Sequence, residues 1–568
     1  MSGFRASLTP LLLSAAILTV SRPAAEAAPP APPRATASVE LSVTNLDVVV
    51  TDAKGNPVRG LVAADFEVLH GGRAVELTNF SEIRLVGETA PEASASSAEE
   101  PTASPAKPPR RRVVLFFDRL YLPEPGIRKA LFDSVRSLVG ETLDEGDDVM
   151  IVTWERSIRT VLPFTDDLGA LRRALGRVEE RSTRPGREET DYALLDQGQA
   201  WFESLKEDPR FEGVGGDSEL TAEMTARQAY FEMQAKTAAL QGLAATLGGA
   251  EGRKALVLVS HRFSRYPGLE FLIRSATDID QIRASKHRLQ DARRLLDDVS
   301  NAANANGVTL YGLFPDAFEG MGMVSAGQRS GPPQGITKDA LLQNEIEALD
   351  VVTSATGGVV LAGGGNVGRL MERVSGDLQS WYSLGYPSQS GTGRAATVSV
   401  RVKGRDLTVR TRRAVVQKSV EEQMSGRVLA HLFQPDEQAR IPITASLVGS
   451  QPEKGKYVLR IEVRIPIGSL ALLPTAKGVG GVFSVFVAAV APEGDFSSVN
   501  RLNQPFQIPE TDLEKAKAGH YTYELDVVTK SPSARVAIGI WDERSNEAGF
   551  ALVTPSSRRA ADPTEPRG

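Results

Sequence analysis

Apolar and polar positions follow two different periods along this chain, and the period switches twice. Between residues 39 and 86 the period is two: Leu46, Val48 and Val50 alternate with Asp47, Val49 and Thr51, the pattern of a half-buried strand. Asp52 to Pro57 is turn chemistry, because Gly55 and Asn56 tolerate positive φ and Pro57 stops a ladder. Phe66 to Leu69, then His70-Gly71-Gly72, then Ala74 to Leu77 predicts a second hairpin.

From 111 to 387 short, mostly apolar runs alternate with helical stripes. The runs are Val113 to Phe117, Val149 to Trp154, Lys254 to Ser260, Val308 to Phe314 and Val359 to Ala362. One stripe is Ile127, Leu131, Val135, Leu138 and Thr142. A second is Leu289, Ala292, Leu296, Val299 and Ala303, stopped by the C-cap pair Asn306-Gly307. Glu219 to Leu247 predicts a long helix before the central strand. Ile346, Leu349 and Val352 mark another helix, and Leu370, Val374 and Leu378 a last one. Trp381 to Tyr386 is expected to close the sheet. This alternation predicts a doubly wound, mostly parallel sheet. Ligands bind such sheets at the carboxyl ends of the strands, and the first run stops there on Asp118.

Period two then returns. Val398, Val400 and Val402, a Lys403-Gly404-Arg405-Asp406 turn, and Leu407, Val409 and Thr411 read as one basic hairpin within 388–418. From 425 to 555 the chain reads as a C-terminal β-sandwich, with strands at Tyr457 to Ile467, Gly481 to Ala491, His520 to Val528 and Val536 to Trp541. The fold class is multidomain α/β plus all-β, an α/β sheet flanked by β-sandwich-like domains. The 39–86 block has too few strands to stand alone, and so has the basic hairpin. They are expected to pair into one sandwich with the α/β domain inserted between them.

Composition sharpens the picture. A chain of 568 residues implies two to four domains. A net charge of −6 gives no global basic character for nucleic acid. There is no cysteine, which excludes disulfides, thiolate metal sites and a thioether lipid anchor. Arg5, the apolar run Leu8 to Val20 and Ala25-Glu26-Ala27 predict a signal peptide over 1–27, with a linker at 28–38. No transmembrane segment is expected after its removal. Residues 87–110, rich in Pro, Ala, Ser and Glu, predict a disordered linker, and 556–568 a polar tail. The expectation is an exported protein, periplasmic or extracellular.

Several motifs in order carry a resemblance. They are Val48-Val49-Val50-Thr51-Asp52, Gly55-Asn56-Pro57-Val58, Gly60-Leu61 and Asp65-Phe66-Glu67-Val68. Gly252-Arg253-Lys254, Ala305-Asn306-Gly307-Val308 and Trp381-Tyr382-Ser383-Leu384-Gly385-Tyr386 continue the series. Over roughly residues 40 to 416 the chain resembles the von Willebrand factor A-related proteins of the Acidobacterial type. A similar insertion of an A domain occurs in integrin β chains.

The resemblance implies a metal-ion-dependent adhesion site built as Asp-x-Ser-x-Ser, a threonine and an aspartate on three loops. Here Asp118 stands with Leu120 and Leu122 in place of the serines. Thr190 fits the second loop, before Ala193-Leu194, and His261 replaces the third-loop aspartate. Leucine cannot ligate, and histidine suits Mg²⁺ poorly. The site positions Asp118 and Thr190 are therefore degenerate. No cofactor is expected, with weak Mg²⁺ binding as the alternative. Asp118 then reads as a loop carboxylate held by backbone N–H groups. His261 is either its partner or an unengaged loop residue.

Other chemistry is thin. There is no Gly-x-Ser-x-Gly and no His-Glu-x-x-His, and the five histidines are scattered. Gly363 to Gly368 precedes a helix and reads as a tight turn or an anion cradle. Arg401, Lys403, Arg405, Arg410, Arg412 and Arg413 are expected to share one solvated face, an anionic-ligand patch or a charged edge. The function expected is non-catalytic recognition of a protein or of an envelope or surface ligand. The rim Asp118, Leu120, Tyr121, Leu122, Thr190 and His261 would carry it, without metal. A Mg²⁺-dependent adhesin and an exported hydrolase are the alternatives.

Overall fold

A computed structural model of the chain describes residues 41–84, 111–119, 125–142, 147–181, 217–250, 252–260, 263–273, 276, 278–313, 334–361, 367–389, 395–416, 418–433, 439–475, 478–492, 497 and 499–555. The signal peptide, both linkers and the tail lie outside them.

The chain opens with β1 (Leu41–Thr51), β2 (Phe66–His70), β3 (Arg73–Val75) and β4 (Asn79–Arg84). The α/β segment follows. It contains β5 (Arg111–Asp118), α1 (Pro125–Thr142), β6 (Asp148–Trp154), β7 (Ile158–Thr165) and α2 (Leu168–Arg181). Next come α3 (Asp217–Leu247), β8 (Arg253–Val259), α4 (Leu269–Leu272), α5 (Ile279–His287) and α6 (Arg293–Ala305). It ends with β9 (Val308–Leu313), α7 (Gln334–Thr356), β10 (Val360–Leu361) and α8 (Val367–Gln379).

Six strands form one sheet in the order β10-β9-β8-β5-β6-β7. All neighbours run parallel except β7, which is antiparallel to β6. β5 is buried along its whole length, which explains a continuous rather than alternating apolar run. Its side chains divide between two cores. Val113, Leu115 and Phe117 pack with Leu131 and Val135 of α1, Leu171 and Leu175 of α2, and Val374 and Leu378 of α8. Val114 and Phe116 pack on the other face with Met233 and Leu240 of α3, Leu296 and Val299 of α6, and Leu349 and Val352 of α7. Each such side chain contributes about 1.5–3 kcal/mol by leaving water. α6 stops where the sequence says, with Gly307 at φ +64°.

The chain then runs through β11 (Ser380–Gln389), β12 (Ala395–Val402), β13 (Thr408–Arg410) and β14 (Ala414–Val416). Two expectations need correction here. Trp381 to Tyr386 does not close the α/β sheet: β11 pairs with β1 and β4 instead. Its Tyr382, Leu384 and Tyr386 enter the core of Leu46, Val48 and Val50, a better apolar match than the two-residue edge strand β10. The 388–418 segment is not a closed hairpin either. β12 pairs with β2 and β14, whereas β13 pairs with β1. The turn at Lys403 to Arg405 thus carries the chain from one sheet to another.

The two sheets, β13-β1-β11-β4 and β14-β12-β2-β3, enclose one apolar cluster. Leu46, Phe66, Val68, Leu384, Val398 and Val400 belong to it. Strands of 41–84 and of 380–416 therefore share both sheets, with the α/β segment between them in sequence. Tyr382 Oη joins the halves: it donates to Val58 O at 2.9 Å and accepts from Leu61 N at 3.2 Å.

Residues 420 onward begin with a helix, α9 (Val420–His431), where the sequence reading expected β structure from 425. Ser419 and Glu422 form a reciprocal capping box at its start. β15 (Thr444–Glu453), β16 (Lys456–Pro466), β17 (Leu473–Thr475), β18 (Gly478–Val490) and β19 (Asn500–Ile508) come next. α10 (Leu513–Lys517), β20 (His520–Thr529), β21 (Arg535–Asp542) and β22 (Glu547–Val553) complete the chain. A three-stranded sheet β15-β16-β20 and a five-stranded sheet around β18 share one core, which includes Leu459, Ile461, Phe483, Val485 and Ile538. α9 covers the far side of β18 and β21 through Met424, Val428 and Leu432. Among the described residues no helix is long and apolar enough to cross a membrane.

Candidate functional site

Asp118 ends β5, the central strand, flanked by the ends of β6 and β8. Its carboxylate is fully buried. Lys236 of α3 donates to Asp118 Oδ2, and Ser260, the residue after β8, donates to the same oxygen through Oγ at 3.1 Å. Lys236 and Ser260 are each only 2% exposed. The reason lies in the helix: Met233, Lys236, Leu240, Leu243 and Leu247 fall at spacings of three and four, so the lysine sits inside the stripe that α3 presses on the sheet. A lysine there needs an anion, because an unpaired buried ammonium is costly.

Two side chains from distant parts of the chain thus engage Asp118. The missed signal was a lysine inside an apolar helical stripe. At the same rim Arg119 pairs with Glu155, which follows β6.

The described donors alone do not make up a divalent-ion site. One oxygen of Asp118 already faces an ammonium, and residues 120 and 122 are leucines. Among the described residues no three His, Asp or Glu side chains gather as a metal would need. Leu120, Tyr121, Leu122, Thr190 and His261 lie outside the described residues, as does the glycine run 363–366 ahead of α8.

The six basic residues do not share one face, which corrects the expected patch. Arg401 is exposed opposite Glu67 at 3.4 Å, and Lys403 donates to Ala64 O at 3.0 Å. Arg405 and Arg413 are exposed. Arg410 and Arg412 turn inward instead. Arg410 makes a two-pronged contact with Asp377 of α8, at 2.7 and 2.5 Å. Arg412 donates to Asn304 O at 3.3 Å and to Asn45 O. β13 is only three residues long, so the alternation that would keep the six in register does not persist past Arg410. These inward arginines link the two-sheet unit to the α/β segment.

No protein-family model matches the chain, and no curated protein does. Among solved structures, an aerotolerance-related membrane protein from Bacteroides fragilis aligns at 10% identity and TM-score 0.22, over 47% of this chain and 98% of that one. A von Willebrand factor type A protein from Catenulispora acidiphila aligns at 11% identity and TM-score 0.21, over 79% of this chain and 68% of that one. A pilus adhesin from Lactobacillus rhamnosus aligns at 8% identity and TM-score 0.23, over 89% of this chain and 61% of that one. Similarities this loose carry no argument about fold or function.

Proposed function

We propose that this chain is an exported, non-catalytic recognition protein. Its α/β segment acts as a doubly wound A-type domain set into a β-sandwich, and binds a protein or surface partner at the rim around Asp118 without metal. The observation that carries the metal-independent part is the Lys236 ammonium on Asp118. A tethered monovalent cation holds the carboxylate where the resemblance implies a divalent one. Leu120, Tyr121 and Leu122 follow Arg119 in sequence, an apolar and aromatic set suited to a dry contact.

The test has two arms. Metal-stripped protein is titrated calorimetrically with Mg²⁺ and with Mn²⁺, beside Asp118→Ala. No saturable heat up to low-millimolar metal is expected. Saturable binding that disappears in the variant would put a metal-dependent adhesin in place of this reading. Partner capture from envelope extracts is then compared with and without EDTA, and with Tyr121→Ala. Capture insensitive to EDTA and lost in Tyr121→Ala is expected; capture unchanged in that variant would remove the rim from the proposal.

A further inference from the structure

At the opposite end of the six-stranded sheet, where β8 and β9 begin, lies a cavity of about 540 Å³. Lys254, Arg412, Lys418, Asn45, Asp47 and Asn306 are among its lining residues. The three cations come from three directions: the start of β8, the chain between β13 and β14, and the entry to α9. They converge closely. A side chain at Gly307 would meet Arg412 Nη1 at 3.7 Å and Lys254 Nζ at 3.8 Å. One at Gly248 would run into Asn306 Oδ1, with Lys418 Nζ at 2.9 Å.

The groups that compensate these charges can be named. Lys254 donates to Ala250 O at 2.9 Å, beyond the end of α3, and Arg412 donates to Asn304 O near the end of α6. Each helix end supplies roughly half a negative charge, and Asp47 supplies one carboxylate. Glu422, beside Lys418, supplies a second, so the three cations face two full and two partial negative charges. Burial, then the nearby Arg412, pulls Lys254 down to about 8. Burial pulls Lys418 down to about 8 as well, against the opposing pull of Glu422. Arg112 adds to the repulsion on Lys254.

Donors also remain. Lys254 makes one hydrogen bond and Lys418 one, to Asn306 Oδ1, among the described residues. Arg412 Nε is buried with no acceptor.

We propose that this cavity binds a small anion through a tetrahedral, phosphate-type oxyanion head group, gripped by Lys254, Arg412 and Lys418. Three donors approaching from separate elements suit a tetrahedral oxyanion better than a planar carboxylate, which prefers one two-pronged fork. The volume leaves room for an organic tail beyond the head group. The inference is independent of the rim function, because the site lies at the other end of the strands.

The test is calorimetry and thermal unfolding of the full chain with inorganic phosphate, glycerol 3-phosphate and malonate, at constant ionic strength and neutral pH. Saturable binding of both phosphates is expected, malonate being weaker, together with a saturating rise in unfolding temperature. Lys418→Gln and Lys254→Gln are each expected to weaken phosphate binding at least tenfold. Both should unfold at or above the wild-type temperature without ligand, because each removes an ammonium that burial penalises. No saturable phosphate binding at millimolar concentration would overturn the proposal. So would variants that unfold earlier yet bind phosphate unchanged, since the lysines would then be only a structural clip. Malonate binding as tightly as phosphate would overturn the choice of head group. Phosphate binding without a glycerol 3-phosphate response would assign the site to the free ion.

Discussion

Removing either partner of the Asp118–Lys236 pair should cost far more than removing both. In Lys236→Met the Asp118 carboxylate stays fully buried and loses the ammonium that faces it. In Asp118→Leu the Lys236 ammonium loses its buried carboxylate beside Met233, Leu240 and the apolar sheet face. Breaking a buried pair from one side costs about 3–5 kcal/mol, whereas replacing the pair by apolar side chains is often neutral or stabilising. For a unit of this size about 2–4 °C of unfolding temperature accompanies each kcal/mol. Each single variant should therefore lower the α/β transition by roughly 6–20 °C. The double variant Asp118→Leu/Lys236→Met should recover most of the loss. Differential scanning calorimetry is the assay, with the α/β transition resolved from those of the β units, because a chain of several units need not unfold in one step. Singles within about 1 kcal/mol of wild type would refute the reasoning. A double variant showing the sum of the two losses would refute it equally, since additivity means the two groups do not interact.

Three further outcomes follow from the packing. Ser419→Ala removes one arm of the capping box on α9 and should cost about 1 kcal/mol, read as a lower denaturant midpoint for the C-terminal unit. Gly358→Ala would place a Cβ 1.8 Å from the Leu310 carbonyl oxygen, so the β9–β10 edge must shift; a marked fall in unfolding temperature is expected, and an unchanged one would count against the described register. The lysines of the basic cavity set a pH dependence. Their folded values, about 8, lie below the ordinary lysine value of about 10.4, so between these limits the unfolded chain holds more protons and stability rises with pH. Below pH 8 the penalty is present in full. Wild type should gain stability from pH 8 to 10 relative to a Lys254→Gln/Lys418→Gln variant, and parallel curves would sink this account.

Some of this was legible in the sequence, for identifiable reasons. The β5, β6, β8 and β9 runs stand out because strands buried on both faces need continuous apolar residues. The stripe Ala292, Leu296, Val299 and Ala303 is the buried face of α6 as observed. Local pattern could not show which strand pairs with which. β11 reads as a strand from its aromatic residues, but its partners β1 and β4 depend on contacts across hundreds of residues. The hairpin expected at 396–416 failed for the same reason: a short turn between two strands signals a reversal, not whether they share a sheet. α9 was missed although Ser419 and Glu422 have the spacing of a capping box. At the site, Asp118 was visible as a carboxylate ending a central strand. Its partner was hidden because Lys236 and Ser260 lie 118 and 142 residues away, and sequence distance says nothing about such a meeting.

The pairing of Ser380 with Arg84 across the β4–β11 ladder bears on the timing of folding. The α/β segment is inserted into the two-sheet unit between those two residues. Leu61 must wait for Tyr382, 321 positions later. At a synthesis rate of about 5–20 residues per second, that wait is roughly 15–65 s. For that interval β1 and β2 are on hand while β11 and β12 do not yet exist, and the α/β segment is completed first. The opening β strands are thus the earliest made and among the last to find their place. Any factor that guards this chain as it is made has its longest task at those few valines.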